Sequence, residues 1–342
     1  MSATIKDVAK KAGVSLSTVS LVINNKNNIS PTTKKKVEEA ISELNFHPRR
    51  YARGLASKKT FNLGFILTDD HFSLAEPFYT KIFLGTEFEA RKYNYYILLT
   101  TVKKSFKVQE SIPRFLLEKN VDGVILAGKV PTKLIDYIQE RKLPVVLVDY
   151  DLRTNRVSTV FINNFQGAQL AVTHLIKSGH RKIAFIGGEI NHPSIRERLR
   201  GYKETLQEHK LPTVDKLISH SEPYTGVNDG YEATRKLLDA GISFTAIFAS
   251  NDTMAIGAMR CLRERNLKVP QDVSIIGFDD IEVCLQVEPR LSTVRVFKEE
   301  LGAIAVRRIV EKIENKKLMV NQIIVPVELV LRESSGKAPN FI

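Results

Sequence analysis

From residue 61 onward, short apolar runs alternate with helical patterns, and this alternation restricts the possible folds more than any other feature of the chain. The runs cover residues 63–67, 95–99, 121–126, 145–148, 182–188, 244–250 and 273–280, with a further strand expected around Val160. Between them lie stretches of helical periodicity, among them residues 77–93, 163–179 and 251–266. Strand and helix in steady alternation make parallel sheets covered on both faces by crossover helices. About nine candidate strands suit two such units better than one, with the boundary near residue 160, before a helix starting at Asn164. A length of 342 residues also exceeds what one hydrophobic core spans, and 43% apolar residues can fill more than one.

The first 47 residues have a different texture. Ile5, Val8, Ala9 and Ala12 make one apolar stripe on a short helix, with Thr4 as its cap and Asp7 completing the capping pattern. Gly13 ends that helix by tolerating a left-handed backbone. Ser15 caps a second helix running to about Asn24, and helix, glycine turn, helix is a helix-turn-helix. On the second helix Val19, Val22 and Ile23 point inward, leaving Leu16, Ser17, Ser20, Leu21 and Asn24 outward as a face fit for a major groove. A third helix runs from Ser30 and Pro31 to about Leu44, its stripe being Val37, Ala40, Ile41 and Leu44; Lys34, Lys35 and Lys36 lie on its solvent side, for solubility or for backbone contact. The expected fold class is therefore α/β, two doubly wound parallel-sheet lobes preceded by an all-α helix-turn-helix headpiece. Residues 1–60 hold twelve Lys and Arg against four Asp and Glu, eight of the thirteen net positive charges, which points to phosphate as the partner.

The run Thr4–Asn24, followed by SPTTKKKVEEAISELNFHP and RRYARGLASKKT, resembles the DNA-binding headpiece and hinge of the LacI/GalR family of bacterial transcription regulators. The resemblance implies that Ser15, Ser17, Thr18, Ser20 and Asn24 touch DNA, that Leu16, Ser17 and Leu21 set base choice, and that Thr4 and Arg53 join the DNA-facing set. Leu21 stands where several members carry a guanine-reading arginine; leucine offers only apolar contact, such as to a thymine methyl. Residues 48–59 are basic with Gly54 in their middle, and an isolated helix under about 12 residues is marginal in water, so this hinge is expected to fray without DNA. In the family it forms a helix in the minor groove, and Leu55 falls on the leucine that wedges between bases and kinks the duplex. The rest of the family's chain is periplasmic-binding-protein-like, two lobes joined by three strands. Carried over, that gives a headpiece at 1–47, a hinge at 48–59, a first lobe at 60–160 plus 291–320, a second at 161–290 plus 321–333, and a loose tail at 334–342.

Open parallel sheets bind ligands in the crevice outside the carboxyl ends of their strands. Polar residues directly after apolar runs are thus candidates: Asp149, Asn251, Asp252, Asp279 and Asp280, with Arg198 reaching the same crevice from a helix. Carboxylates, an amide and a guanidinium suit a sugar, whose hydroxyls donate and accept together. The resemblance assigns effector contact to Asp149, Arg198, Asn251 and Asp279, ring stacking to Phe78 and Tyr79, and variable pocket positions to His192 and Ser194. Asp252 and Asp280 are read as caps of the next helix, and Asn163 precedes Asn164 where the family often has an aspartate. The implied protein is a repressor acting as a homodimer or dimer of dimers on a pseudo-palindromic double-stranded operator, under control of a small sugar-like effector. A phosphorylated carrier protein as corepressor, or a sugar-binding protein with no DNA role, are the alternatives.

Little points to catalysis. There is no G-x-x-x-x-G-K-[ST] loop, no G-x-G-x-x-G after a strand and no G-x-S-x-G elbow, and the seven histidines lack metal spacing, so no cofactor or metal is expected. His174 and His180 flank a helix end, where capping or exposure is the default. Cys261 and Cys284 are read as reduced, largely buried thiols. With no apolar stretch of roughly 18 residues and no apolar core at the N-terminus, the expected location is the cytoplasm.

Overall fold

A computed structural model of the chain describes residues 3–23, 29–46, 59–69, 77–107, 111–150, 156–220, 225–315 and 317–339. Asn24, Arg53 and Leu55, and with them the hinge except Lys59, lie outside the described residues.

The headpiece consists of α1 (Ile5–Ala12), α2 (Leu16–Ile23) and α3 (Pro31–Glu43). Thr4 and Asp7 close a capping box, Gly13 takes φ 65° at the end of α1, and Ser30 caps α3 through the Thr33 amide. The three stripes meet in a small core of Val8, Ala9, Val19, Val22, Val37, Ala40 and Phe46. Lys34, Lys35 and Lys36 are exposed.

The first lobe is a six-stranded parallel sheet in the order β11-β5-β4-β3-β1-β2, built from β1 (Asn62–Thr68), β2 (Tyr96–Val102), β3 (Gly123–Ala127), β4 (Val145–Val148), β5 (Ser158–Ile162) and β11 (Gln322–Val325). Period-two alternation sorts its side chains. Leu63, Phe65 and Leu67 pack beneath α4 (Pro77–Lys92) and α11 (Lys298–Glu314), while Ile66 faces α5 (Arg114–Leu117) and α6 (Thr132–Glu140). Helices α4 and α11 cross in backbone contact, which only glycine permits: a Cβ at Gly302 would stand 2.1 Å from the Ile82 carbonyl oxygen.

The second lobe is a parallel sheet in the order β7-β6-β8-β9, from β6 (Ile183–Gly187), β7 (Ile218–His220), β8 (Ala246–Ala249) and β9 (Ser274–Ile276). Helices α7 (Asn164–Lys177) and α8 (Pro193–Glu208) cover Ile183 and Phe185 on one face; α9 (Val227–Asp239) and α10 (Asp252–Glu264) cover Ala184 and Ile186 on the other. Strand β10 (Thr293–Val296) lies beside the end of β9 and pairs antiparallel with β12 (Val327–Val330).

Three expectations need correction. The crossings between lobes fall at about residues 297 and 326, not at 291 and 320, because Ser292 and Arg295 still bridge to Ile276 and Asp279 and β11 pairs with β5 of the first sheet. Nor is the stretch after residue 333 loose over its described part. Ser334 is fully buried and exchanges hydrogen bonds with Ile275, Gly336 meets Ser274 and His180, and the Ala338 amide donates to Ser178. His180, expected near the surface, is fully buried between Thr245 and Gly336; burial holds its pKa below the usual histidine range.

Candidate functional sites

The headpiece presents its second helix as expected. The Ser15 hydroxyl accepts from the Thr18 amide at 3.1 Å and lies 2.7 and 2.9 Å from the hydroxyls of Ser17 and Thr18. Leu16 and Leu21 are 44% and 38% exposed on a helix whose Val19 and Val22 are buried, so apolar surface is turned to solvent on the outward face. Thr18 and Ser20 are half-buried, and Ser17 is exposed. Both donors of Thr4 go to the Asp7 carboxylate, at 2.8 and 2.7 Å, so contact of Thr4 with a phosphate requires opening that capping box.

The second site lies where the strand ends of the two sheets face each other. Asp149, directly after β4, is buried with φ 56°, a left-handed conformation that few non-glycine residues adopt. Its carboxylate accepts from the Tyr79 hydroxyl of α4 at 3.0 Å and, across the cleft, from the Ser194 hydroxyl of α8 at 3.4 Å. One turn along α8, buried Arg198 spreads its guanidinium over three partners. Nε donates to Asn164 Oδ1 at 2.8 Å, one terminal nitrogen to the Ser250 carbonyl, and the other to Asp279 Oδ1 at 3.4 Å. Its carbon sits 3.7 Å from the centre of the Phe278 ring. Asp279, at φ 113°, is likewise left-handed.

These groups share one electrostatic environment. Burial pushes the Asp149 carboxyl up to about 6, against the pull of Arg198, Tyr79 and Ser194. Asp279 is also raised by burial, opposed by Arg198 and Lys298. Two ion pairs join the lobes, Lys129 to Glu189 and Lys81 to Glu282, each at 3.0 Å.

Tyr79, Asp149, Ser194, Arg198 and Asp279 are thus brought together. Phe78 is half-buried, edge-on to Tyr79, and the His192 ring lies 6.4 Å from that of Tyr150. Asn251 caps α10, accepting from the Met254 amide at 2.8 Å, and donates to the Thr225 carbonyl at 3.0 Å. Asp252 and Asp280 do not cap helices. Asp252 accepts from the Ile281 amide and the Thr293 hydroxyl, while Asp280 pairs with Arg295 and Arg332, so both brace the loop after β9 against neighbouring strands. Asn163 caps α7 through the Gln166 amide, leaving Asn164 to hold Arg198.

Sequence reasoning missed Asn164 as the partner of Arg198, and it missed Lys298. The latter left a signal, since a lysine in a helix's first turn opposes the helix dipole and needs another reason to be there. Among the described residues no group of three or more His, Cys, Asp or Glu side chains could hold a metal ion, and no helix is long and apolar enough to cross a membrane.

A basic helix-turn-helix set before two facing parallel-sheet lobes defines a class: a DNA-binding protein on a periplasmic-binding-protein-like core. The family model for bacterial regulatory proteins of the lacI family matches residues 4–49, and that for the periplasmic binding protein-like domain matches residues 172–335. Catabolite control protein A of Priestia megaterium is 37% identical over 338 residues, covering 98% of this chain and 100% of the relative. The ribose operon repressor of Haemophilus influenzae is 33% identical over 332 residues, covering 97% and 98%. Among solved structures, a lac repressor dimer bound to operator and the anti-inducer ONPF superposes with a TM-score of 0.81 at 29% identity, covering 98% of this chain and 100% of that one. A complex of the transcriptional regulator CelR with cellobiose gives 0.75 at 31%, covering 97% and 99%. The chain belongs to the LacI family of DNA-binding transcriptional regulators.

Proposed function

We propose that the protein is a repressor that binds a pseudo-palindromic operator as a dimer or dimer of dimers and is controlled by a small polar effector, a sugar or sugar derivative, held between the lobes. The observation that carries this reading is the array of buried Tyr79, Asp149, Ser194 and Arg198 with half-buried Asp279, drawn from both lobes and rich in paired donors and acceptors. CelR bound to cellobiose, and a LacI family regulator from Enterococcus faecium bound to ribose, support the sugar class. Control is a population shift: an effector bound more tightly by one arrangement of the lobes favours that arrangement, and the spacing of paired headpieces follows.

The test is a thermal-shift screen of the full chain against cellobiose, ribose, other sugars, nucleosides and purines. A ligand at about 100 times its Kd adds roughly 2.7 kcal/mol to stability, enough to raise the melting temperature by several degrees. A shift with sugars supports the reading. No shift with any of them, together with a change in operator affinity on adding a phosphorylated carrier protein, would move control from the cleft to the surface.

The hinge gives a separate prediction. Leu55→Ala should weaken binding to a palindromic operator by roughly tenfold or more while leaving affinity for random duplex nearly unchanged, since an apolar wedge acts only where the duplex is kinked. Equal losses on both duplexes in a gel-shift titration would remove Leu55 from the minor groove.

A further inference from the structure

Lys298 opens α11, a first-lobe helix, yet the residue is 97% buried, with its ammonium turned to the second lobe and 5.9 Å from the centre of the Phe78 ring of α4. Its ammonium donates to the main-chain carbonyls of Asp279, Asp280 (3.3 Å) and Val296 (3.4 Å). Three donors meet three acceptors, the full capacity of a lysine. Asp279 and Asp280 stand in succession at φ 113° and 54°, and this unusual pair of left-handed residues turns both carbonyls onto the one cation. The same turn carries the carboxylate that faces Arg198. A buried ammonium at a helix N-terminus is opposed by both desolvation and the dipole, so the position is held by these carbonyls and by the nearby carboxylates of Asp279, Asp252 and Asp280.

We propose that Lys298 is the positioning residue that couples the cleft to the movement of the lobes. By holding the Asp279–Asp280 turn of the second lobe to the first turn of α11, it sets where the Arg198-facing carboxylate stands and favours the arrangement in which the lobes touch. The proposal rests on the cleft reading above for its meaning in regulation, but the contact itself needs no effector. Lys298 touches no ligand in this scheme; it acts through Asp279.

The test reads the distance between lobes without any effector. Spin labels are placed on the full-length chain at Lys133→Cys on α6 and Asn191→Cys after β6, both exposed and on opposite sides of the Lys129–Glu189 pair. The native Cys261 and Cys284 are buried and stay unlabelled. With Lys298 present, pulsed electron resonance should give one dominant short distance. Losing hydrogen bonds to a charged donor, Lys298→Met should raise a longer-distance population roughly tenfold or more, and Lys298→Arg should restore the short one. An unchanged distribution in Lys298→Met overturns the proposal. So does failure of Lys298→Arg to restore, because packing and not the cation would then be at work. Should Lys298→Met not fold, Lys298→Gln, uncharged but still a donor, is read in its place by the same criterion. A negative result here leaves the effector screen untouched, and an empty screen leaves this measurement interpretable.

Discussion

An Arg198→Ala chain should lose its response to effector while keeping its affinity for DNA. The guanidinium touches Asn164, Ser250 and Asp279 at once, and its removal strips the cleft of a fixed fork of donors. Truncating one partner of a buried charge pair costs about 2–5 kcal/mol, so binding of whichever sugar the screen identifies should weaken by roughly thirtyfold or more in a calorimetric titration. The same change leaves Asp279 buried without its guanidinium, and the chain should lose on the order of 3 kcal/mol of stability to denaturant. Arg198→Lys keeps a cation without the planar fork and should fall between the two. An effector response unaltered by Arg198→Ala would take this residue out of the site.

The second large effect concerns pH. Burial pushes the Asp252 carboxyl up to about 7, with the charge of Asp279 adding to it, and Asp149 up to about 6. An unfolded aspartate titrates near 3.9, so between about pH 4 and pH 7 the folded chain holds protons at these two sites that the unfolded chain has released. Stability from these groups is therefore fully present at the acid end of that window and declines as pH rises through the folded values. Asp252→Asn removes the larger share. The variant should gain on the parent by about 2 kcal/mol between pH 5 and pH 8, seen as a smaller fall in melting temperature over that range. Parallel curves for the two chains would mean that the Thr293 hydroxyl and the Ile281 amide hold Asp252 ionised in the folded state.

Much of this architecture was legible in the sequence because its determinants are local. Thr4, Asp7, Gly13, Ser15 and Ser30 act within a few residues of themselves, and each sits at the helix end its chemistry implies. The apolar runs that hold β4 (Val145–Val148) and β6 (Ile183–Gly187) are buried on both faces, which is why their composition alone marked them. Arg198 and Asp279 could be paired because strand ends in parallel sheets share one crevice. What stayed hidden depends on distant parts of the chain. β7, β10 and β12 are as short as β4 and β9 but each has partly exposed positions and polar residues, so no continuous apolar run marks them. Residues 334–338 look like a polar tail until Ser274, Ile275 and His180 supply their partners from more than 55 residues away. Asp252 next to Asn251 reads as a helix cap, and only the approach of Thr293 and Ile281 reveals it as a brace.

The three passages between lobes lie side by side. β5 and β11 are neighbours in one sheet, β10 and β12 pair beyond it, and the Asn163 amide donates to the Val325 carbonyl where two of them meet. Such a seam behaves like the spine of a book. Sliding or twisting one cover past the other would shear adjacent ladders, whereas folding about the spine leaves them intact. Folding about this spine is therefore the motion that the pairing of its strands opposes least.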